Sequence, residues 1–175
     1  MADHPLNADS SDHPTLPAAP PADHARTVVF AEIAGATALY EALGDVRALS
    51  VITRAMVAVE QQVYEHRGNV IKTVGQEMLC LFADASTATA TAIAMQQRME
   101  HFAGEAGVAL ALRVGLRSGP VIEEQGDVFG DAVNVAARLV KLAGAGQIIT
   151  DGETVHGMRA ALRRRARAID RRRVK

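Results

Sequence analysis

A mixed α+β fold is predicted for this 175-residue chain by three features of its sequence. Short β-branched and apolar runs have the length of strands, Ala-rich stretches with helical spacing lie between them, and glycines and prolines separate the two kinds of segment. In order these segments run strand, helix, strand, strand, helix, strand, which is the ferredoxin-like βαββαβ pattern, a sheet carrying its helices on one face. An additional helix and a short C-terminal strand extend this core.

The run Thr27-Val28-Val29-Phe30-Ala31-Glu32-Ile33 has the composition of a buried strand, and Ala34-Gly35-Ala36-Thr37 punctuates it. A helical turn follows to Leu43, where Gly44 stops it. Asp45 is expected to cap a long helix reaching about residue 66, with Leu49, Ile52, Met56, Val59 and Val63 among its apolar positions and Gly68 at its end. Residues 69–74 and 77–82 read as a hairpin around Gly75-Gln76. Asp84-Ala85-Ser86 opens a second Ala-rich helix to about Phe102, residues 108–118 form the next strand, and Gly119-Pro120 turns the chain. The stretch from Gly126 to Leu139 reads as a loop running into an amphipathic helix, with Val133, Ala137 and Val140 as its apolar face. Asn134 and Arg138 lie four residues apart on another common face, where they could hold a ribose and a phosphate, or form the solvated side of an ordinary half-buried helix. A short apolar strand is expected at Ile148-Ile149.

Residues 1–25 hold five of the six prolines and four Asp with no Lys or Arg, the composition of a disordered leader; residues 26–175 form one domain. His4, His13 and His24 are scattered through or beside that leader as solvated residues rather than metal ligands. Nine basic residues between Arg159 and Lys175 face one acid, Asp170, in what reads as a solvated basic segment. Aromatics make up 3% of the chain and Trp is absent, which argues against stacking platforms for nucleic acid. Cys80 is the one cysteine and sits in the apolar run Met78-Leu79-Cys80-Leu81-Phe82, so it is expected to be a small buried hydrophobe. No apolar stretch is long enough to span a membrane and no signal-peptide pattern opens the chain, so a cytoplasmic location is expected.

Four separated segments carry a resemblance to a known family. They are Phe30 to Thr37, Lys72-Thr73-Val74-Gly75-Gln76-Glu77, Gly115-Leu116-Arg117-Ser118-Gly119, and Gly126 to Leu139. Together they resemble class III nucleotidyl cyclases, enzymes that convert ATP or GTP to the 3′,5′-cyclic monophosphate and pyrophosphate. The resemblance implies that Lys72 and Asp127 read the base, with a pairing that suits adenine: an ammonium donates to a ring nitrogen and a carboxylate accepts from the exocyclic amine. It implies that Asn134 orients the ribose and that Arg138 stabilises charge on the α-phosphate. It also implies that Ala34, Gly35, Ala36 and Thr37 form the triphosphate loop, with backbone N–H groups at a helix start facing the phosphates. Many relatives carry an aromatic residue where Ala36 stands.

The same resemblance implies two Mg or Mn ions held by two Asp residues, at the positions occupied here by Glu32 and Gln76, with Ile33 counted among the metal positions. Neither side chain is Asp: Glu32 pushes its charge out by one methylene, and Gln76 keeps an oxygen without the charge. Glu77 is expected to point to the opposite face by strand alternation. Family sites form between protomers packed head to tail, and this chain keeps the base, ribose and transition-state residues while altering the metal residues. The resemblance therefore implies an adenylate cyclase-type domain with impaired activity, acting as a homodimer or completed in a heterodimer by a metal-competent chain. The alternative is a non-catalytic ATP-binding or regulatory module, a pseudoenzyme. On this reading the chain stops at Val174-Lys175, short of the family's last strand.

Overall fold

The computed structural model describes residues 25–169; residues 1–24 of the expected leader and the end of the basic segment lie outside the described residues, and Ala25, expected as the leader's last residue, opens the first strand. Strand β1 (Ala25–Ala34) leads through helix α1 (Ala36–Leu43) into the long helix α2 (Asp45–Glu65). The hairpin β2 (Asn69–Val74) and β3 (Glu77–Phe82) precedes α3 (Ala85–Ala106) and β4 (Ala111–Pro120). Then come a small hairpin, β5 (Ile122–Glu124) and β6 (Asp127–Phe129), helix α4 (Asp131–Leu142), β7 (Ile148–Thr150) and the short helices α5 (Gly152–His156) and α6 (Ala160–Arg163). The main sheet has the order β2-β3-β1-β4-β7. Its first four strands are mutually antiparallel and β7 joins β4 in parallel, so the βαββαβ core is present with one added strand.

β1 is the central strand, and its alternation splits the core in two. Val29, Ala31 and Ile33 pack with α2 and α3 on one face, while Val28 packs with Leu79, Leu81, Val128, Ala132 and Ala136 on the other. Helices therefore lie on both faces, not one: α4 covers the second. Close approach makes this possible. A side chain on Gly115 of β4 would place its Cβ 2.3 Å from the Val140 nitrogen and 2.6 Å from the Ala136 carbonyl oxygen, so α4 rests directly on bare β4 backbone. This also corrects the apolar face of α4. Its buried residues are Ala132, Ala136, Leu139 and Val140, because small side chains suit that contact; Val133 and Ala137 are only half-buried.

Other differences are local and have physical causes. Gly44 occupies the cap position of α2 and Asp45 is its first helical residue, making no side-chain cap. Ala48, Ile52, Ala55, Met56, Val59 and Val63 form the buried stripe of α2, which leaves Leu49, one step round the helix, 56% exposed. Asp84 does cap α3: one carboxylate oxygen accepts from the Ser86 and Thr87 amides at 2.9 Å each, which holds its pKa below the ordinary carboxylate value. The helix runs past Phe102 to Ala106, where left-handed Gly107 ends it and the Val108 N–H still bonds the Ala103 carbonyl, so β4 starts later than the apolar pattern suggests. At its far end β4 continues through Gly119 and Pro120 because Arg26 and Ala25 extend the ladder opposite them.

Cys80 is fully buried, and burial pushes its thiol up to about 12. Among the described residues no helix is long and apolar enough to cross a membrane.

Replacing Gly115 by Ala should lower unfolding stability by about 1–3 kcal/mol in a urea titration, since helix and strand backbones must separate. Gly104→Ala, inside α3 with nothing within 4 Å of the new methyl, should raise it by about 0.5–1 kcal/mol.

Candidate functional site

At one end of the sheet, Glu32 of β1 stands in register with Glu77 of β3 on one side and Arg113 of β4 on the other. Directly opposed residues send their side chains to the same face. Glu77 therefore shares the α4 face with Glu32, contrary to the alternation argument. That argument counted from Gln76, which lies in the hairpin turn and outside the pleat. Lys141, in the last turn of α4, reaches both carboxylates: its ammonium donates to Glu32 Oε2 at 2.9 Å and to Glu77 Oε1. These hydrogen bonds, that to Glu77 foremost, raise the Lys141 pKa above the ordinary lysine value. The Glu32 side chain is only 13% exposed. With Tyr40, Thr53 and Gln76 these residues line an open cleft of about 370 Å3, whose rim carries the exposed Leu49 and Val74.

A second pair forms further along the hairpin. In β2 the register steps from Val70 opposite Cys80 to Lys72 opposite Leu79, so Ile71 and Lys72 together oppose one residue, a β-bulge. Without that step Lys72 would face the α2 and α3 side with Met78; with it, Lys72 turns to the α4 side with Leu79. There its ammonium meets Asp127 Oδ2 at 2.6 Å, across 55 residues of sequence. Asp127 opens β6, so the stretch read as a plain loop is in fact a small hairpin whose first residue is held by its own ladder. The Lys72 hydrogen bond, then the Val128 amide, hold the Asp127 carboxyl below the usual range.

Asn134 and Arg138 lie one turn apart on the exposed face of α4. Neither lines the cleft with Glu32 and Gln76. The Ala34 to Thr37 segment joins β1 to α1. Gly35 takes a left-handed φ of 94° there, and a Cβ at that position would lie 2.5 Å from the Ala109 carbonyl oxygen. Ala34 and Ala36 are buried, whereas Gly35 and Thr37 are exposed at the start of the eight-residue α1, whose first amides have no partner within the helix.

The donor set does not fit a divalent metal. Gln76 is neutral, its main-chain carbonyl accepts from the Ile33 N–H at 3.0 Å, and Glu32 and Glu77 already share the Lys141 ammonium. The Ile33 side chain is buried in the core. Among the described residues no group of three His, Cys, Asp or Glu is placed to hold a metal ion. Lys141 is the residue that sequence reasoning missed. It follows Asn134 and Arg138 at i+7 and i+3, so helical spacing put it on the same stripe. Arg117, within the third family-like segment, is spent on structure: it forms ion pairs with Asp151 and Glu153 and ties β4 to α5.

The chain matches the family model of the adenylate and guanylate cyclase catalytic domain over residues 19–174. It is similar to an adenylate cyclase of Streptomyces griseus, with 31% identity over 130 residues that cover 74% of this chain and 32% of that protein. An adenylate cyclase of Streptomyces coelicolor gives 30% identity over 129 residues, covering 74% of this chain and 33% of the relative. The chain thus spans about a third of the length of these curated relatives. In fold it is similar to the crystal structure of the adenylyl cyclase CyaB from P. aeruginosa, with a TM-score of 0.69, 23% identity, and coverage of 75% of this chain and 79% of that one.

Substituting Lys72 by Met should return the Asp127 pKa upward toward its ordinary carboxylate value, as read from a carbonyl-detected NMR titration. An unchanged Asp127 titration would mean that the Lys72 contact is not kept in solution.

Proposed function

This chain belongs to the family of adenylate and guanylate cyclase catalytic domains, and from that membership we propose that it is an adenylate cyclase-type domain whose own residues serve the nucleotide half of a shared site. Its base-reading residues are Lys72 and Asp127, its ribose residue Asn134, its phosphate residue Arg138. The observation that carries this reading is the Lys72–Asp127 contact at 2.6 Å, which needs a bulge in β2 and a hairpin before α4 to exist. An ammonium donor beside a carboxylate acceptor matches the ring nitrogen and exocyclic amine of adenine; guanine would present the opposite pair.

The chemistry follows from the side chains. The 3′-oxygen of the ribose attacks the α-phosphorus, the bond to the bridging oxygen breaks, and pyrophosphate leaves. Arg138, whose guanidinium is exposed and free to turn toward a bound nucleotide, supplies positive charge where negative charge grows on the α-phosphate. Asn134, one turn earlier, can hold the ribose so that the attacking oxygen stays in line. Gly35 and Thr37, at the start of α1, offer main-chain N–H groups to the outer phosphates.

Because Asn134 and Arg138 face outward and not into the cleft with Glu32 and Gln76, the residues divide as they would for a site closed by a partner packed head to tail. The partner, a second copy or a different cyclase chain, supplies the metal-holding carboxylates in this arrangement. A nucleoside triphosphate substrate puts the domain in the cytoplasm. A second reading, a non-catalytic ATP-binding module, is favoured by the engagement of Glu32 and Glu77 with Lys141.

The test is cyclic AMP formation from ATP, with GTP alongside, by the chain alone and mixed with metal-competent cyclase chains. Arg138→Ala should lower the rate by about 10²- to 10³-fold, as loss of one charge-stabilising donor does elsewhere. Glu32→Ala should leave the activity of the mixed pair within about threefold, since in that pair the partner's carboxylates do the work. ATP bound without turnover in every pairing selects the second reading, and no ATP binding in any pairing overturns both.

A further inference from the structure

We infer that Lys141 is the resident cation of the Glu32–Glu77 carboxylate pair, an internal ammonium that takes the place of a divalent ion and keeps this chain's own cleft free of metal. The inference deepens the reading above and rests on it for the metal-holding role of positions 32 and 76.

Three observations converge. The first is the register. Glu32 and Glu77 are directly opposed across β1 and β3, where like charges repel, and the Glu32 side chain is only 13% exposed, so a counter-charge is needed at that spot. The second is the geometry of the counter-charge. Lys141 donates to one oxygen of each carboxylate, bridging them as a shared cation would. Its helix is held at fixed height by the backbone contact at Gly115, so the fold sets the place from which the half-exposed Lys141 side chain reaches the carboxylates. The third is the lining. Glu32, Gln76, Glu77 and Lys141 line the same cleft, and Lys141 is the one cation among its lining residues.

A divalent ion entering there would meet the Lys141 ammonium and one neutral amide, that of Gln76. It would also need near-octahedral oxygen geometry from carboxylates already turned to Lys141. Displacing Lys141 would leave its ammonium beside the incoming ion. A tethered ammonium at effectively high local concentration wins that competition.

The experiment is a Mn2+ titration of the full chain followed by electron paramagnetic resonance, which needs neither nucleotide nor partner. Wild type should leave the free Mn2+ signal unchanged up to the millimolar range. Lys141→Gln should bind Mn2+ at least tenfold more tightly, and adding Glu32→Gln should abolish that gain; Lys141→Arg, which keeps the charge, should behave as wild type. Wild type binding Mn2+ as tightly as Lys141→Gln overturns the inference, and so does Lys141→Gln binding no better than wild type. Should Lys141→Gln not fold, the wild-type ammonium resonance of Lys141 decides in its stead. It should stay sharp with stoichiometric Mn2+, and paramagnetic broadening that Glu32→Gln removes overturns the inference. Loss of cyclic AMP formation in every pairing would sink the cyclase reading while leaving this metal readout intact, so the two failures are distinguishable.

Discussion

The central strand β1 is hydrogen-bonded along both edges and buried on both faces, and every other placement in the molecule answers to that constraint. Its odd-numbered residues Val29, Ala31 and Ile33 must find apolar cover under α2 and α3, and its even-numbered Val28 and Phe30 under α4 and β6. Between Phe30 and Ala34 the even series carries Glu32, a carboxylate among apolar neighbours. A charge nearly removed from water has to be matched within the fold, and Lys141 stands where that match is made.

Helix α4 links the two parts of the candidate site. Its inner side, Ala132, Ala136, Leu139 and Val140, is seated on β4, where Gly115 allows the backbones to touch. Its outer side carries Asn134 and Arg138, and its last turn carries Lys141 back toward the sheet. One rigid element thus sets the height of the outward-facing polar pair and of the inward-facing ammonium. The Lys72–Asp127 pair is anchored separately, by the bulge in β2 and the ladder of the β5–β6 hairpin, so the two parts of the candidate site rest on different parts of the fold.

In the cleft Glu32 and Glu77 share the ammonium of Lys141, with the neutral Gln76 beside them. The cleft thus holds two carboxylates against one ammonium, whereas Asn134 and Arg138 lie exposed on α4.

The order of the core strands and helices up to β4, with α4 and β7 after them, was legible in the sequence because it depends on local periodicity, whereas the β5–β6 hairpin, α5 and α6 were not. The bounds of the β2–β3 hairpin, the Asp84 cap and the one-turn spacing of Asn134 and Arg138 all follow from spacing within a few residues. Tertiary structure decided what depends on register and on contact between distant segments. The bulge at Ile71 turned Lys72 to the face of Asp127, and pairing with Glu32 overrode the local alternation expected for Glu77. The buried stripe of α4 was chosen by a glycine on β4, not by the helix's own bulkiest residues. Helical spacing places Lys141 on the stripe of Asn134 and Arg138, but its partners lie 109 and 64 residues away and only the seating of α4 on the sheet brings its charge to them.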